Sequence, residues 1–228
     1  MTLLALSGVE TFYGASQALF GVDLSVAEGE VVALMGRNGM GKTTTIRSIC
    51  GLTPARAGAI AFAGVDITRR QPFRIARLGI GLVPEGRRCF PNLTVHENLV
   101  AAARPGKWTQ TAVTDLFPRL GERAGQSAST LSGGEQQMLA IGRALMTNPR
   151  LIVLDEATEG LAPVIRQDIW AAIRRLKDEG QSILVVDKTM AELLPVADRC
   201  VVLEKGRTVW TGRPEELTAD MQDRYLGV

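Results

Sequence analysis

The feature that most constrains this chain is the stretch Gly36-Arg37-Asn38-Gly39-Met40-Gly41-Lys42-Thr43. It has the phosphate-loop pattern of a glycine, four residues and then Gly-Lys-Thr. The apolar run at 31–35 predicts a buried strand before it, and residues 44–52 predict a helix after it. Glycines allow backbone N–H groups to surround a polyphosphate, and a helix N-terminus adds a positive dipole end. The setting therefore predicts a nucleoside triphosphate site rather than an ordinary glycine-rich turn.

Several residue types around this stretch have a chemical role in such a site. Lys42 would neutralise the outer phosphates, and the Thr43 hydroxyl would bind Mg²⁺. The flat ring of Tyr13 could stack on a nucleobase without base-specific hydrogen bonds, or it could simply pack into an edge sheet. The predicted nucleotide-binding residues are Tyr13, Gly36, Arg37, Asn38, Gly39, Met40, Gly41, Lys42, Thr43 and Thr44.

Acidic residues follow two other predicted strands. Residues 151–154 form a short apolar run that ends in Asp155 and Glu156. In a magnesium-dependent hydrolase, Asp155 would hold the metal through water and Glu156 would take a proton from the attacking water. Glu85 follows the predicted strand 79–84 and either faces the ligand site or points into solvent. The predicted metal-binding residues are Thr43, Glu85 and Asp155, and an ordinary surface acid pair is the alternative interpretation of 155–156.

A second helix start has the character of an anion site. Ser132, Gly133 and Gly134 precede the regularly spaced apolar residues of the next helix, although an ordinary Ser-Gly cap explains the same pattern. Before it, residues 90–130 predict a small helical insertion in a larger α/β body. In that insertion Thr94 and Glu97 predict a capping box, a second helical piece is expected over about 112–120, and His96 is interpreted as a solvated surface residue. Elsewhere, residues 54–58 predict a loop, residues 182–186 predict a buried strand and residues 214–225 predict a closing helix.

Composition limits the class of protein. Hydrophobic residues make up 46% of the 228 residues, which is enough for a sizeable core. The net charge of +2 does not call for nucleic acid as a partner. The three cysteines lack metal-ligand spacing and favour a reducing cytosol, and neither a signal peptide nor a membrane-spanning run is expected. We expect a soluble protein whose membrane role, if any, comes through a partner.

Taken together, these motifs resemble the ATP-binding subunits of ABC transporters. Residues 36–43 look like the Walker A loop, residues 131–135 look like the family signature, and residues 151–156 look like Walker B with its catalytic glutamate. Tyr13 falls where the family has its adenine-stacking aromatic residue, and Glu85 falls where it has its glutamine-loop residue. The order and spacing agree over essentially the whole chain.

The resemblance implies a fold and a division of the chain. The expected fold class is α/β, a P-loop NTPase core with a mostly parallel sheet, an N-terminal antiparallel β subdomain and a small helical subdomain. The expected unit is a single ABC ATPase domain over residues 1–228, in which 1–89 and 131–228 form the core and about 90–130 form the helical subdomain.

Within the family, several stretches are similar to one of the two ATPases of branched-chain amino acid uptake systems. They are residues 83–88, 116–120, 133–145 and 159–163. Importers of urea or short amides look much alike, so the solute stays open. The resemblance implies ATP and Mg²⁺ as ligands, transmembrane permease subunits as partners and, indirectly, a periplasmic binding protein. It also implies a cytoplasmic protein that is peripheral on the inner face of the cell membrane.

The resemblance further implies composite sites between two ATPase subunits, the second being a paralogue or another copy of this chain. Each ATP would lie between the Walker A loop of one subunit and the signature of the other. The signature residues are Ser132, Gly133, Gly134 and Glu135. This arrangement would explain why the chain has two anion-binding helix starts.

Three positions depart from the wider family. Glu85 replaces the usual glutamine and can still bind a metal ion. Ala162 stands where an aspartate is usual, which would weaken communication across the dimer. Lys188 falls where a histidine or glutamine contacts the γ-phosphate, and it cannot act as a neutral donor and acceptor. The predicted catalytic residues are thus Glu156 and Lys188, with ATP binding intact and hydrolysis altered.

Three functions are compatible with these residues. The first is an ATP-hydrolysing subunit of an ABC importer for branched-chain amino acids or a related small solute. The second is a low-activity nucleotide-binding partner of a paralogous ATPase, which Lys188 and Ala162 keep open. The third is a soluble ABC ATPase that acts on nucleic acid or ribosomes, which the near-neutral charge disfavours.

Overall fold

Two β-sheets organise residues 1–227, the part of the chain that the computed structural model describes. The first sheet contains β1 (Thr2–Tyr13), β2 (Ser16–Ala27), β4 (Ala55–Phe62) and β5 (Val65–Asp66). Its strand order is β2-β1-β4-β5, and all neighbours are antiparallel. This is the predicted N-terminal antiparallel layer.

The second sheet is mostly parallel. It contains β3 (Val31–Met35), β6 (Ile80–Val83), β7 (Leu151–Asp155), β8 (Ser182–Val186), β9 (Arg199–Glu204) and β10 (Arg207–Gly212). The order is β10-β9-β3-β8-β7-β6, and only the β9–β10 hairpin is antiparallel. The predicted α/β fold class is confirmed.

Helices connect and cover the sheets. They are α1 (Lys42–Ile49), α2 (Pro72–Arg77), α3 (Val95–Ala102), α4 (Gln110–Leu116), α5 (Pro118–Glu122), α6 (Gly133–Met146), α7 (Pro163–Asp178), α8 (Met190–Leu193) and α9 (Ala219–Leu226). Within residues 1–227, every helix is too short or too polar to cross a bilayer.

The core has two parts because the parallel sheet is buried on both faces. In β3, Val32 and Leu34 join the hydrophobic cluster shared with the antiparallel sheet and α1. Val31, Ala33 and Met35 join the opposite cluster, which includes α6 and α7. This alternation follows from side chains pointing to opposite faces along a strand. The phosphate loop therefore starts from a strand that is held on both sides.

The helices between residues 95 and 122 pack on α6. A Cβ at Gly142 of α6 would lie 2.8 Å from Val113 and 3.1 Å from Leu99, so glycine permits this close approach. The predicted capping box of α3 is present, with Thr94 accepting from the Glu97 N–H at 3.1 Å. His96 is exposed, as expected. The division of the chain at about residues 90 and 130 stays a prediction.

Some predicted boundaries were wrong. Residues 55–58, expected in a loop, belong to β4, because the antiparallel pairing of Glu10 with Ala57 extends both strands. The single helix expected over 112–120 is interrupted at Phe117, because the residue before a proline is disfavoured in helical conformation. The closing helix expected over 214–225 is a short 3₁₀ turn followed by α9, which Thr218 caps.

Candidate functional site

The phosphate-loop stretch occupies the turn between β3 and α1. Gly36, Gly39 and Gly41 have φ angles of 136°, 80° and 102°, a region that side chains rarely allow. A Cβ at Gly36 would also clash with the carbonyl oxygen of Leu203. Both observations explain why the glycines stand at these positions. The loop leads directly into the N-terminus of α1, where free N–H groups favour an anion.

Lys42 is buried inside this loop. Its Nζ donates to the carbonyl oxygens of Gly36 at 2.8 Å and Arg37 at 3.0 Å. Burial lowers the pKa of Lys42, while the nearby negative charge of Glu156 acts in the opposite direction. Among the residues that the structure describes, no carboxylate forms an ion pair with Lys42. A desolvated ammonium of this kind favours an anionic ligand, as a phosphate would be.

The three predicted metal-binding residues lie together. Thr43, Glu85 and Asp155 line one cavity of about 570 Å³. The Thr43 hydroxyl donates to Asp155 Oδ1 at 3.4 Å, and Asp155 is only 3% exposed. Burial raises the pKa of Asp155 and the charge of Glu85 adds to this, although the Thr43 hydrogen bond acts against it. A hydroxyl and two carboxylates are hard oxygen donors that fit Mg²⁺, whose charge would offset the buried acid.

Glu156 and Lys188 meet beside this cavity. Glu156 follows β7 in a left-handed conformation, with φ of 50°. The Lys188 Nζ lies 3.4 Å from Glu156 Oε2 and 2.5 Å from Glu159 Oε1. Burial, together with the adjacent Glu159 side chain, raises the pKa of Glu156 to about 7, against the opposing effect of Lys188. A carboxyl with its pKa near neutral pH is suited to general-base catalysis.

A second cavity of about 570 Å³ brings these groups to the phosphate loop. It is lined by Gln17, Ala18, Asn38, Gly39, Gly41, Lys42, Thr43, Thr44, Glu85, Glu156, Glu159 and Lys188. Carboxylate oxygens of Glu85, Glu156 and Glu159 also lie within 4.8 Å of one another. The cavity thus joins loop glycines, one buried lysine and a cluster of acids, as phosphoryl transfer requires.

Tyr13 stands at the edge of the loop. Its hydroxyl lies 3.4 Å from the Thr44 hydroxyl, and 46% of the residue is exposed. This is a ring fixed beside the site with its surface open, rather than one buried within the sheet. The geometry favours the base-stacking interpretation over the packing alternative.

Two side chains of the predicted loop have other partners. Arg37 donates from Nη2 to the carbonyl oxygen of Asp223 in α9 at 2.8 Å. The Met40 sulfur accepts from the Lys205 N–H at 3.1 Å, in the turn between β9 and β10. At these two positions we expect the backbone, rather than the side chain, to contact a nucleotide. Arg37 and Met40 instead attach the loop to neighbouring elements.

The signature residues form the N-terminus of α6. Ser132 is exposed and caps the helix, accepting from the Glu135 N–H at 3.3 Å. Although burial acts against it, hydrogen bonds from Ser132 and the charge of Arg123, 2.7 Å away, hold the pKa of Glu135 below its usual range. The signature residues are absent from the lining of the phosphate-loop cavity. At this helix start Ser132 is exposed, whereas Gly134 and Glu135 are buried.

The sequence assigned no role to three residues that connect the parts of the site. Arg87 donates to the Gly160 carbonyl oxygen at 3.1 Å and lies so close to Gly133 that a Cβ there would clash. Asp187 accepts from the Thr158 hydroxyl at 2.6 Å, joining the ends of β7 and β8. Glu159 pairs with Lys188. The available signal was charged residues in short loops that follow buried strands.

Three comparisons with known proteins agree with this geometry. A family model described as "ABC transporter" matches residues 19–159. The high-affinity branched-chain amino acid transport ATP-binding protein BraG of Pseudomonas aeruginosa is 44% identical over 235 residues, covering 99% of this chain and 100% of BraG. Nod factor export ATP-binding protein I of Rhizobium etli is 36% identical, covering 97% of this chain and 71% of that protein.

A solved structure gives the same result for the fold. An ATP-binding cassette of an ABC transporter, determined in its ADP conformation, superposes with a TM-score of 0.83 at 28% identity. The match covers 100% of this chain and 98% of that one.

Proposed function

This chain belongs to the ABC transporter ATP-binding family, and from that premise we propose that it energises uptake of branched-chain amino acids or a related small solute. It is an ABC-type ATP hydrolase and the ATPase subunit of a transporter. The observation that carries the finer proposal is the 44% identity with BraG over nearly the full length of both chains. The Nod factor export protein is less similar and extends beyond the matched region.

The residues of the site divide the reaction between them. Glu156 accepts a proton from the water that attacks the γ-phosphate in line. Lys42 exchanges part of its contact with the loop carbonyls for phosphate oxygens, where its charge stabilises the transition state. Thr43, Asp155 and Glu85 would hold Mg²⁺, which when bound neutralises charge on the phosphate oxygens. Tyr13 stacks on the adenine.

Assembly completes the site. The signature residues 132–135, whose helix begins at the exposed Ser132, bind the ATP held by a second ATPase subunit, either a paralogue or another copy of this chain. This is supported by their position outside the phosphate-loop cavity of their own chain. Transmembrane permeases, fed by a periplasmic binding protein, place the subunit on the cytoplasmic face of the membrane. The helical region at about 90–130 carries the signature at its end.

The test is ATP-dependent uptake by a reconstituted complex. The chain is co-purified with its permeases and reconstituted in proteoliposomes. Mg²⁺ and ATP are supplied on the side of the membrane that carries the ATPase subunit, and the binding protein and labelled leucine are supplied on the opposite side. We expect leucine uptake that is lost in Glu156→Gln and kept in Glu122→Gln, a change of an exposed acid on α5. Leucine export, or uptake of urea without leucine, would overturn the proposed solute and direction.

A second candidate function is a nucleotide-binding subunit of low activity that works beside a more active paralogue. The observation that favours it is the Lys188 ammonium, which lies 3.4 Å from the proposed base. Turnover of the wild-type chain is compared with Lys188→His and Lys188→Gln. Faster turnover in both variants, with unchanged ATP binding, would support this function, and equal rates in all three chains would exclude it.

A further inference from the structure

Within residues 1–227, Lys188 pairs with two carboxylates, and the two distances are unequal. Its Nζ lies 2.5 Å from Glu159 and 3.4 Å from Glu156. The two loops that carry these residues are fixed to each other, because Asp187 accepts from the Thr158 hydroxyl and backbone N–H at 2.6 and 3.2 Å. Because the loops are held together, the unequal distances reflect the conformation of the Lys188 side chain rather than movement of the loops.

The position of the Lys188 ammonium affects whether Glu156 can act as the base. The Lys188 side chain is 47% exposed and ends in a flexible four-carbon stem, so its charge can move toward whichever anion attracts it more. Glu156 has a side chain that is only 12% exposed. If Glu159 lost its charge, the ammonium would move onto Glu156. Its N–H groups would then occupy the carboxylate oxygens that the attacking water has to reach.

We propose that Glu159 is a positioning residue that holds the Lys188 ammonium away from Glu156, so that Glu156 stays available to the attacking water. The proposal rests on the ATP hydrolase function and on Glu156 as its base. In this chain, Lys188 and Glu159 act as a pair: the lysine brings positive charge to the site, and the glutamate limits how far it neutralises the base.

The first test measures kcat and KM for ATP in the chain with its permeases. Glu159→Gln should lower kcat about fivefold and leave KM within about twofold, whereas Glu159→Asp should keep most of the activity. In a Lys188→Met background, the same Glu159→Gln change should alter kcat by less than about twofold, because the ammonium is gone. Equal losses of kcat in both backgrounds, or a loss expressed in KM, would overturn the proposal. Glu122→Gln is the matched control.

The second test does not depend on turnover. The side-chain ammonium resonance of Lys188 is followed by NMR in the nucleotide-free chain labelled with ¹⁵N-lysine, and it is assigned by its loss in Lys188→Met. It should shift in Glu159→Gln and stay in place in Glu122→Gln. If the Lys188 resonance does not shift in Glu159→Gln, the ion pair between Lys188 and Glu159 is not formed, and the proposal is overturned. A shift accompanied by no hydrolysis in the wild-type complex would instead overturn the ATPase function, and with it the role of Glu159, while leaving the ion pair intact.

Discussion

The proposed base Glu156 should make the nucleotide-free protein less stable at neutral and alkaline pH. Burial and the adjacent Glu159 side chain raise the pKa of Glu156 from 4.5 to about 7. A carboxyl whose pKa is raised by folding stabilises the native state below the pKa of the unfolded chain. That contribution is lost as pH rises from about 4.5 to about 7. Glu156→Gln removes the titrating group and keeps the shape of the side chain.

The size of the effect follows from the two pKa values. The difference corresponds to at most about 3 kcal/mol at pH 8. Because water reaches the partly exposed side chain, we expect Glu156→Gln to stabilise the protein by about 2 kcal/mol at that pH. For a chain of this length this raises Tm by about 4–8 °C. At pH 5 most Glu156 side chains are already protonated in the native state, so the gain falls to about a quarter.

The assay is thermal and denaturant unfolding of both chains at pH 5 and pH 8, with EDTA and without nucleotide. A gain that grows with pH is expected. Equal stability at pH 8, or a gain of the same size at both pH values, would refute the reasoning. Glu122→Gln, a change of an exposed acid on α5, is the control and should leave Tm unchanged at both pH values.

Three further predictions concern other parts of the structure. Lys42→Ala should leave the protein folded but weaken ATP binding at least about tenfold, measured by calorimetry; unchanged binding would contradict the phosphate role. Tyr13→Ala should raise the KM for ATP about tenfold while Tyr13→Phe, which keeps the ring, stays near wild type; equal effects would implicate the hydroxyl instead. Asn148→Ala should lower the free energy of unfolding by about 2–3 kcal/mol in denaturant titrations, because its side-chain amide bonds the backbone of Arg104 and Trp108; a neutral result would show that these contacts are dispensable.

The sequence was sufficient to predict an element or a candidate site residue where the local pattern and the chemistry agree. The apolar runs at 31–35 and 182–186 predicted strands with the bounds that the structure has. The phosphate loop follows from its glycines, whose spacing matches the left-handed turns at Gly36, Gly39 and Gly41. Asp155 and Glu156 were recognisable as candidate site residues because acids seldom follow a buried strand without a reason.

The sequence was insufficient to predict contacts between residues that lie far apart along the chain. Nothing local to Glu159 shows that it meets Lys188, 29 positions later. Arg37 and Met40 belong to the loop motif, yet their side chains bond to α9 and to the β9–β10 turn. The extent of β4 was likewise set by its pairing with β1. Such contacts depend on the assembled sheets, which periodicity within one segment does not describe.

The central position of β3 has a consequence for how the protein opens. β3 lies between β8 and β9 and is buried on both faces, so its amide hydrogens are released to solvent only when both halves of the core separate. In hydrogen–deuterium exchange its amides should be among the last to exchange, whereas α9, which has no buried residue, should exchange early. The loop that receives the triphosphate is thus anchored to the slowest-exchanging part of the molecule. Local opening of other segments therefore does not displace the phosphate loop.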